Sequence, residues 1–149
     1  MPGKTARRVR VSLVDGGRSV ADAGLADSAI PRMIGLLGRD SLAPGDGLVL
    51  TPCNSIHTIG MRFAIDVVFV DSRGRVRKIV RNLSPWRMAI SPLSRATIEL
   101  SAGALAPEAL SVGDRLYLAP APGEVSGGVS ASGIQAMLRE RRHPAPKPA

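Results

Sequence analysis

Apolar and polar residues alternate near the start of the chain, with Val9, Val11 and Leu13 set against Arg8, Arg10 and Ser12. That period of two is the signature of a strand with one buried face. Asp15-Gly16-Gly17 then turns the chain, and residues 20–26 are read as the returning arm of a hairpin. Next the period changes: Ile30, Met33, Ile34 and Leu37 fall at i, i+3, i+4 and i+7. With Asp27 or Ser28 as cap, Pro31 in the first turn and Gly38 as the stop, this spacing predicts a short amphipathic helix. Pro44-Gly45-Asp46-Gly47 is a dense turn ahead of an apolar strand at 48–50, and Pro52 interrupts the pattern that follows.

From Met61 onward, Met61, Phe63, Ile65, Val67 and Phe69 lie on one face and Arg62, Ala64, Asp66, Val68 and Val70 on the other. Both faces are largely apolar, so this strand is expected to be covered on both sides and central. Asp71-Ser72-Arg73-Gly74 supplies a turn initiator and a residue suited to positive φ, which joins the strand to residues 75–81 as a hairpin. Residues 84–92 read as loop, 96–100 as a strand, 104–110 as a second short helix despite Pro107, and 115–118 as the last strand. Residues 120–133 have linker composition, rich in Pro, Gly and Ser. The basic helical pattern at 134–142 is too short to hold alone in water.

At 149 residues and 44% hydrophobic content the chain has material for one core and too much apolar character for a wholly disordered polymer. The expected division is a flexible basic N-terminus at 1–6, a single β-rich domain at 7–119 and a disordered tail at 120–149. Apolar runs such as residues 67–70 fall far short of the ~18 residues of a membrane span, and residues 1–17 hold no signal-peptide core, which predicts a cytoplasmic protein. Cys53 is the only cysteine, so neither an internal disulfide nor a Cys-rich zinc cluster can form. The net charge of +8 is mostly terminal: +4 lies in residues 1–10 and +2 in residues 121–149, leaving +2 on the body. Within the body the basic residues gather at Arg73, Arg75, Arg77, Lys78 and Arg81.

Five phrases occur in order: Gly35-Leu36-Leu37-Gly38-Arg39, Pro44-Gly45-Asp46-Gly47-Leu48, the run from Ile65-Asp66 through Val76, Glu99-Leu100-Ser101-Ala102-Gly103, and Val112-Gly113-Asp114-Arg115. Together they resemble the domain of unknown function 192 family, also called UPF0127, over about residues 7–118. Many members carry a Phe-Trp-Met-type segment before a Pro-Leu-Asp. This chain has Ile56-His57-Thr58-Ile59-Gly60-Met61-Arg62-Phe63 with Cys53 just upstream and Ala64 in the proline's place, so it looks like a Cys-x-x-Ile-His-Thr branch. The resemblance implies a compact, largely antiparallel, β-barrel-like domain with short helices and carries no established reaction. Members are often exported, a trait at odds with the missing leader. The fold class expected is therefore α+β, mainly antiparallel β, barrel-like, with one or two short helices.

Three residues are catalytic candidates: Cys53, His57 and Asp66. A thiol needs a base within ~3 Å to become a nucleophile. Four residues of extended strand separate such side chains by ~13 Å, whereas a helical turn brings them to ~6 Å. Pro52 and Asn54-Ser55 permit a turn, so the pairing stays open. Asp66 interrupts a strand that otherwise reads as buried, and a buried carboxylate needs a partner. Arg62, Arg39 or backbone amides are the options, and a bulge at Gly60 would bring Asp66 to the same face as His57. A metal held by Cys53, His57 and Asp66 lacks a recurring ligand pair, so no metal site and no cofactor is predicted. The glycines match no nucleotide-binding fingerprint.

The leading expectation is a small soluble binding or accessory domain with a polar cleft near Cys53, His57 and Asp66, in which Arg39, His57, Arg62 and Asp66 bind an unknown small molecule or protein. One alternative is a Cys/His-dependent enzyme, by thiol nucleophile or metal assistance. The other is weak nucleic-acid binding through the basic tails and the 73–81 ribbon. Nucleic acid ranks behind the other partners, because few aromatic residues are present for bases to stack on.

Overall fold

The computed structural model describes residues 7–26, 36 and 38–123. Nine strands are described: β1 (Arg8–Leu13), β2 (Ser19–Ala26), β3 (Asp46–Leu50), β4 (Ser55–His57), β5 (Ile65–Val70), β6 (Val76–Leu83), β7 (Met88–Ile90), β8 (Ala96–Ser101) and β9 (Leu116–Pro120). Seven form one sheet in the order β6-β5-β8-β3-β2-β1-β9, and β4 and β7 form a separate two-stranded ribbon. All pairs are antiparallel except β2 with β3, which run parallel, Asp22 opposite Asp46 through Ala26 opposite Leu50. A parallel pair needs a long crossover, and residues 27–45 connect the two strands; the helix expected at 30–37 falls in this crossover and, apart from Leu36, lies outside the described residues.

Alternation along the strands separates two cores. On one face Val9, Val11, Val49, Val68, Val70, Ile98 and Leu100 pack with Leu105, Leu110, Leu116 and Leu118. On the other, Leu48, Leu50, Ile65, Val67 and Phe69 pack beneath Leu36, Leu42, Met61 and the inward side of the ribbon, Ile56 and Ala89. Every residue of β5 is buried, as its two apolar faces predict, and it lies inside the sheet between β6 and β8; the middle position belongs to β3. The strand begins at Ile65 instead of Met61, because a turn at Ile59–Gly60 intervenes.

The β5–β6 hairpin follows its turn chemistry. The Asp71 carboxylate accepts the amides of Arg73 at 2.8 Å and Arg75 at 3.1 Å, an Asx-type closure. Gly74 adopts φ 78°, and a Cβ there would stand 2.4 Å from the Leu116 carbonyl oxygen.

Two parts of the expected fold class do not hold. The described residues contain no helix, so the structure is all-β where it is described. Residues 104–110 form turns because their backbone groups are taken by side chains: Asp66 accepts the Leu105 amide, and Arg81 donates to the Leu105 and Leu110 carbonyls. Pro107 also removes a donor that a helix would use. Nor is the sheet a closed barrel. Its ends, β6 and β9, meet only around one isolated bridge, Arg75 opposite Arg115. Beyond Val76 the 104–113 connection, gripped by Arg81, lies against β6 in place of β9.

Candidate functional site

The residues singled out in the sequence separate into two places. At the ribbon, the amide of Cys53 donates to the Arg95 carbonyl at 2.9 Å, its carbonyl accepts from Thr97 Oγ1 at 3.1 Å, and its thiol donates to the Ser55 carbonyl at 3.1 Å. His57 faces outward from β4, exposed. No hydrogen bond joins the Cys53 thiol to the His57 ring among the described residues, and no group of three His, Cys, Asp or Glu side chains there stands close enough to hold a metal. The neighbouring Thr58 is buried and central. Its hydroxyl donates to the Ser84 carbonyl at 2.6 Å and accepts the Arg87 amide at 2.9 Å, while its carbonyl accepts the Trp86 amide at 3.0 Å. The Ile-His-Thr phrase thus places an apolar plug at Ile56, an outward imidazole at His57 and a cross-ribbon clasp at Thr58.

The second place is where β5 begins and β8 ends. Asp66 is buried, and both of its oxygens accept backbone amides, Oδ1 from Asn82 at 2.8 Å and Oδ2 from Leu105 at 3.0 Å. The register of β5 on β6 slips between Ile65 and Val67, and Asn82 there has φ 53°. Such a bulge frees an amide from the ladder, and the carboxylate takes it up. Arg62 pairs with the Asp40 carboxylate, both side chains largely in solvent, and Arg39 is exposed two residues before Ser41.

Between these segments lies a cavity of about 380 Å³, lined by Ser41, Leu42 and Pro44 on one side, Phe63 and Ala64 on another, and the turn from Ser101 to Ala104. Asp66 steadies its base by holding the amide next to Ala104. One acidic residue here escaped the sequence analysis. Glu99, two positions before Ser101 on the same face of β8, is buried beside Leu48 and Val67, and its Oε2 has no hydrogen-bond partner among the described residues. Burial pushes its carboxyl up to about 7, against a smaller opposing pull from the Arg39 charge. The signal was present: Glu99 is the single charged residue of β8, as Asp66 is of β5.

Most of the basic cluster at the β5–β6 hairpin is already engaged. Arg75 donates to the Gly113 carbonyl, Arg81 to those of Leu105 and Leu110, and Lys78 to that of Ile90, while Arg77 stands 4.0 Å from Asp71. These side chains secure loops.

Over the described residues, fold and site together define an all-β domain with an open mixed sheet, two cores and an end cavity with charged residues on the neighbouring segments. The chain belongs to the DUF192 family, described as an uncharacterised ACR, which matches residues 11–118. None of the curated proteins matches it. Among solved structures it is similar to a Sinorhizobium meliloti 1021 protein provisionally named a transcription regulator, with 26% identity and TM-score 0.66, over 78% of this chain and 98% of that one. It is also similar to a protein of unknown function from Novosphingobium aromaticivorans DSM 12444, with 22% identity and TM-score 0.63, over 73% of this chain and 82% of that one.

Proposed function

We propose that the domain is a binding module whose ligand site is the end cavity, and that Cys53 and His57 take no part in it. The observation that carries this reading is the cavity itself. At about 380 Å³ it falls within the size range of small-molecule sites and combines an apolar wall, Leu42, Pro44 and Phe63, with the hydroxyl-bearing residues Ser41 and Ser101. Arg39 and Arg62 stand on the two segments that form its walls, which favours a small ligand with an apolar body and an anionic group. The Arg62–Asp40 pair is solvent-exposed and worth only about 0–1 kcal/mol, so an incoming carboxylate can displace Asp40 at little cost. The Cys/His-dependent reading gains no support from the two side chains, which face apart in function: one bonded to a local carbonyl, one in solvent.

The name of the Sinorhizobium protein raises nucleic-acid binding for this chain as well. The engagement of Arg75, Arg81 and Lys78 on backbone carbonyls argues for the cavity instead. A library of small aromatic and aliphatic carboxylates, titrated into labelled protein, is expected to move the amide resonances of Phe63, Ala64 and Ser101 to Ala104. Ala64→Leu, which fills the cavity, should abolish those shifts. Movement confined to other regions, or identical shifts in the filled variant, would overturn the proposal.

A further inference from the structure

The outward face of the β4–β7 ribbon is a second, separate surface. Ile56 and Ala89 point into the core, so the alternating residues Met88 and Ile90 point to solvent, opposite His57 and Ser55 in register. Trp86 precedes Met88 with φ 63°, and its amide donates a hydrogen bond to the carbonyl of Thr58, the residue before exposed Ile59. At the far end Leu93 caps the Ser91–Ser94 turn. Exposures of 66% for Trp86, 69% for Met88 and 74% for Leu93 are those of side chains that project, not of side chains that line a groove. A row of large apolar residues of this kind marks an interaction surface.

Charge identifies the occupant. Residues 72–98 carry seven Arg or Lys and no Asp or Glu, and two of these cations adjoin the row: Arg87 lies within it, and Lys78 reaches the Ile90 carbonyl at 3.0 Å. A second copy meeting face to face would set like charges together. Nucleic acid would find one indole to stack on and aliphatic tips that offer bases nothing. An anionic bilayer fits every part of the row: Trp86 at the headgroup level, Met88, Ile90 and Leu93 reaching toward the acyl boundary, Arg87 on lipid phosphates, and Lys78 adding to the positive field while it holds the Ile90 carbonyl. We propose that the ribbon docks the domain peripherally on anionic membrane surfaces.

Trp86 is the only tryptophan, so its emission reports the event directly. The full chain is mixed with vesicles of phosphatidylcholine plus phosphatidylglycerol, and with vesicles of phosphatidylcholine alone. The expected result is a blue shift and co-sedimentation with the anionic vesicles only, lost when salt rises from about 0.1 M to about 1 M and the screening length falls from ~10 Å to ~3 Å. Arg87→Ala should weaken partitioning about fivefold, the effect of one basic residue near such a surface. Met88→Ser and Leu93→Ser, both at exposed positions and checked by circular dichroism for an unchanged fold, should each weaken it about tenfold or more. The proposal is overturned by the absence of a shift with either vesicle, by equal binding to both, or by partitioning that ignores the serine variants. It is equally overturned if Trp86 already emits as a buried indole without lipid, or if mixed oligonucleotides shift the emission and anionic vesicles do not.

Discussion

Replacing Asp66 by alanine tests the strongest structural claim about the site. The carboxylate sits fully inside the protein and accepts two backbone amides, from the bulge residue Asn82 and from Leu105 at the start of the 104–110 connection. Hydrogen bonds to a charged acceptor are worth about 1.5–3 kcal/mol each, and each buried amide left without an acceptor costs about 1–3 kcal/mol. Removing the carboxylate also relieves the cost of burying its charge, which offsets part of the loss. The net destabilisation expected is about 2–4 kcal/mol, a large share of the ~5–15 kcal/mol that holds a typical domain folded. For a domain of this size it corresponds to a fall of about 10–15 °C in melting temperature. Urea unfolding should show a lower midpoint at unchanged slope, and amide exchange should show lost protection at Asn82 and Leu105 first. Asp66→Asn should recover less than half of the loss, because its NH2 group faces an amide donor. If Asp66→Ala stays within about 0.5 kcal/mol of the parent, the range of an ordinary surface substitution, or if both amides remain protected, the assignment is wrong.

Two further outcomes follow from the same chemistry. Glu99, raised from 4.5 to about 7, keeps in the native state a proton that the unfolded chain has already released. Stability should therefore be highest below pH 4.5 for this group, fall as pH rises to 7 and level off above it, by a few kcal/mol in all at about 1.4 kcal/mol per pH unit. Urea midpoints at pH 5.5 and 8 should show this slope in the parent and not in Glu99→Gln. At the ribbon, Thr58→Val should cost about 1–3 kcal/mol by orphaning the Arg87 amide, whereas His57→Ala, at the adjacent residue but in solvent, should stay within about 0.5 kcal/mol; unfolding midpoints of the two variants compare them directly.

What the sequence made legible was set by local rules. Alternation on two apolar faces located β5, and Asp71 with Gly74 defined the hairpin that follows it, because both signals act between near neighbours. The ribbon strands β4 and β7 escaped notice because each is three residues long and owes its shape to Thr58, whose partners lie 26 to 29 residues away. The helix expected at 104–110 failed for a similar reason: Asp66 and Arg81 take up its backbone groups from across the fold. Asp66 could be flagged as a buried acid, yet its partners proved to be amides that no residue pattern encodes. Glu99 needed its flanks, β3 and β5, before its burial had meaning. Arg39 and Arg62 were placed near a cleft, but Cys53 and His57 sit at the ribbon and do not line the cavity.

The register of the outer strands has a mechanical consequence. Arg8, at the start of β1, accepts the amide of Ala121 just past the end of β9, and Val9 lies opposite Pro120. A force that pulls the two ends of the domain apart is applied at one corner of an antiparallel pair, so it loads the rungs one after another, as a zipper opens, and never shears them together. The sheet therefore yields first between β1 and β9, and the peeling strand withdraws Leu118 and Leu116 from the first core in turn. Tension on its ends is the load this domain is least built to resist.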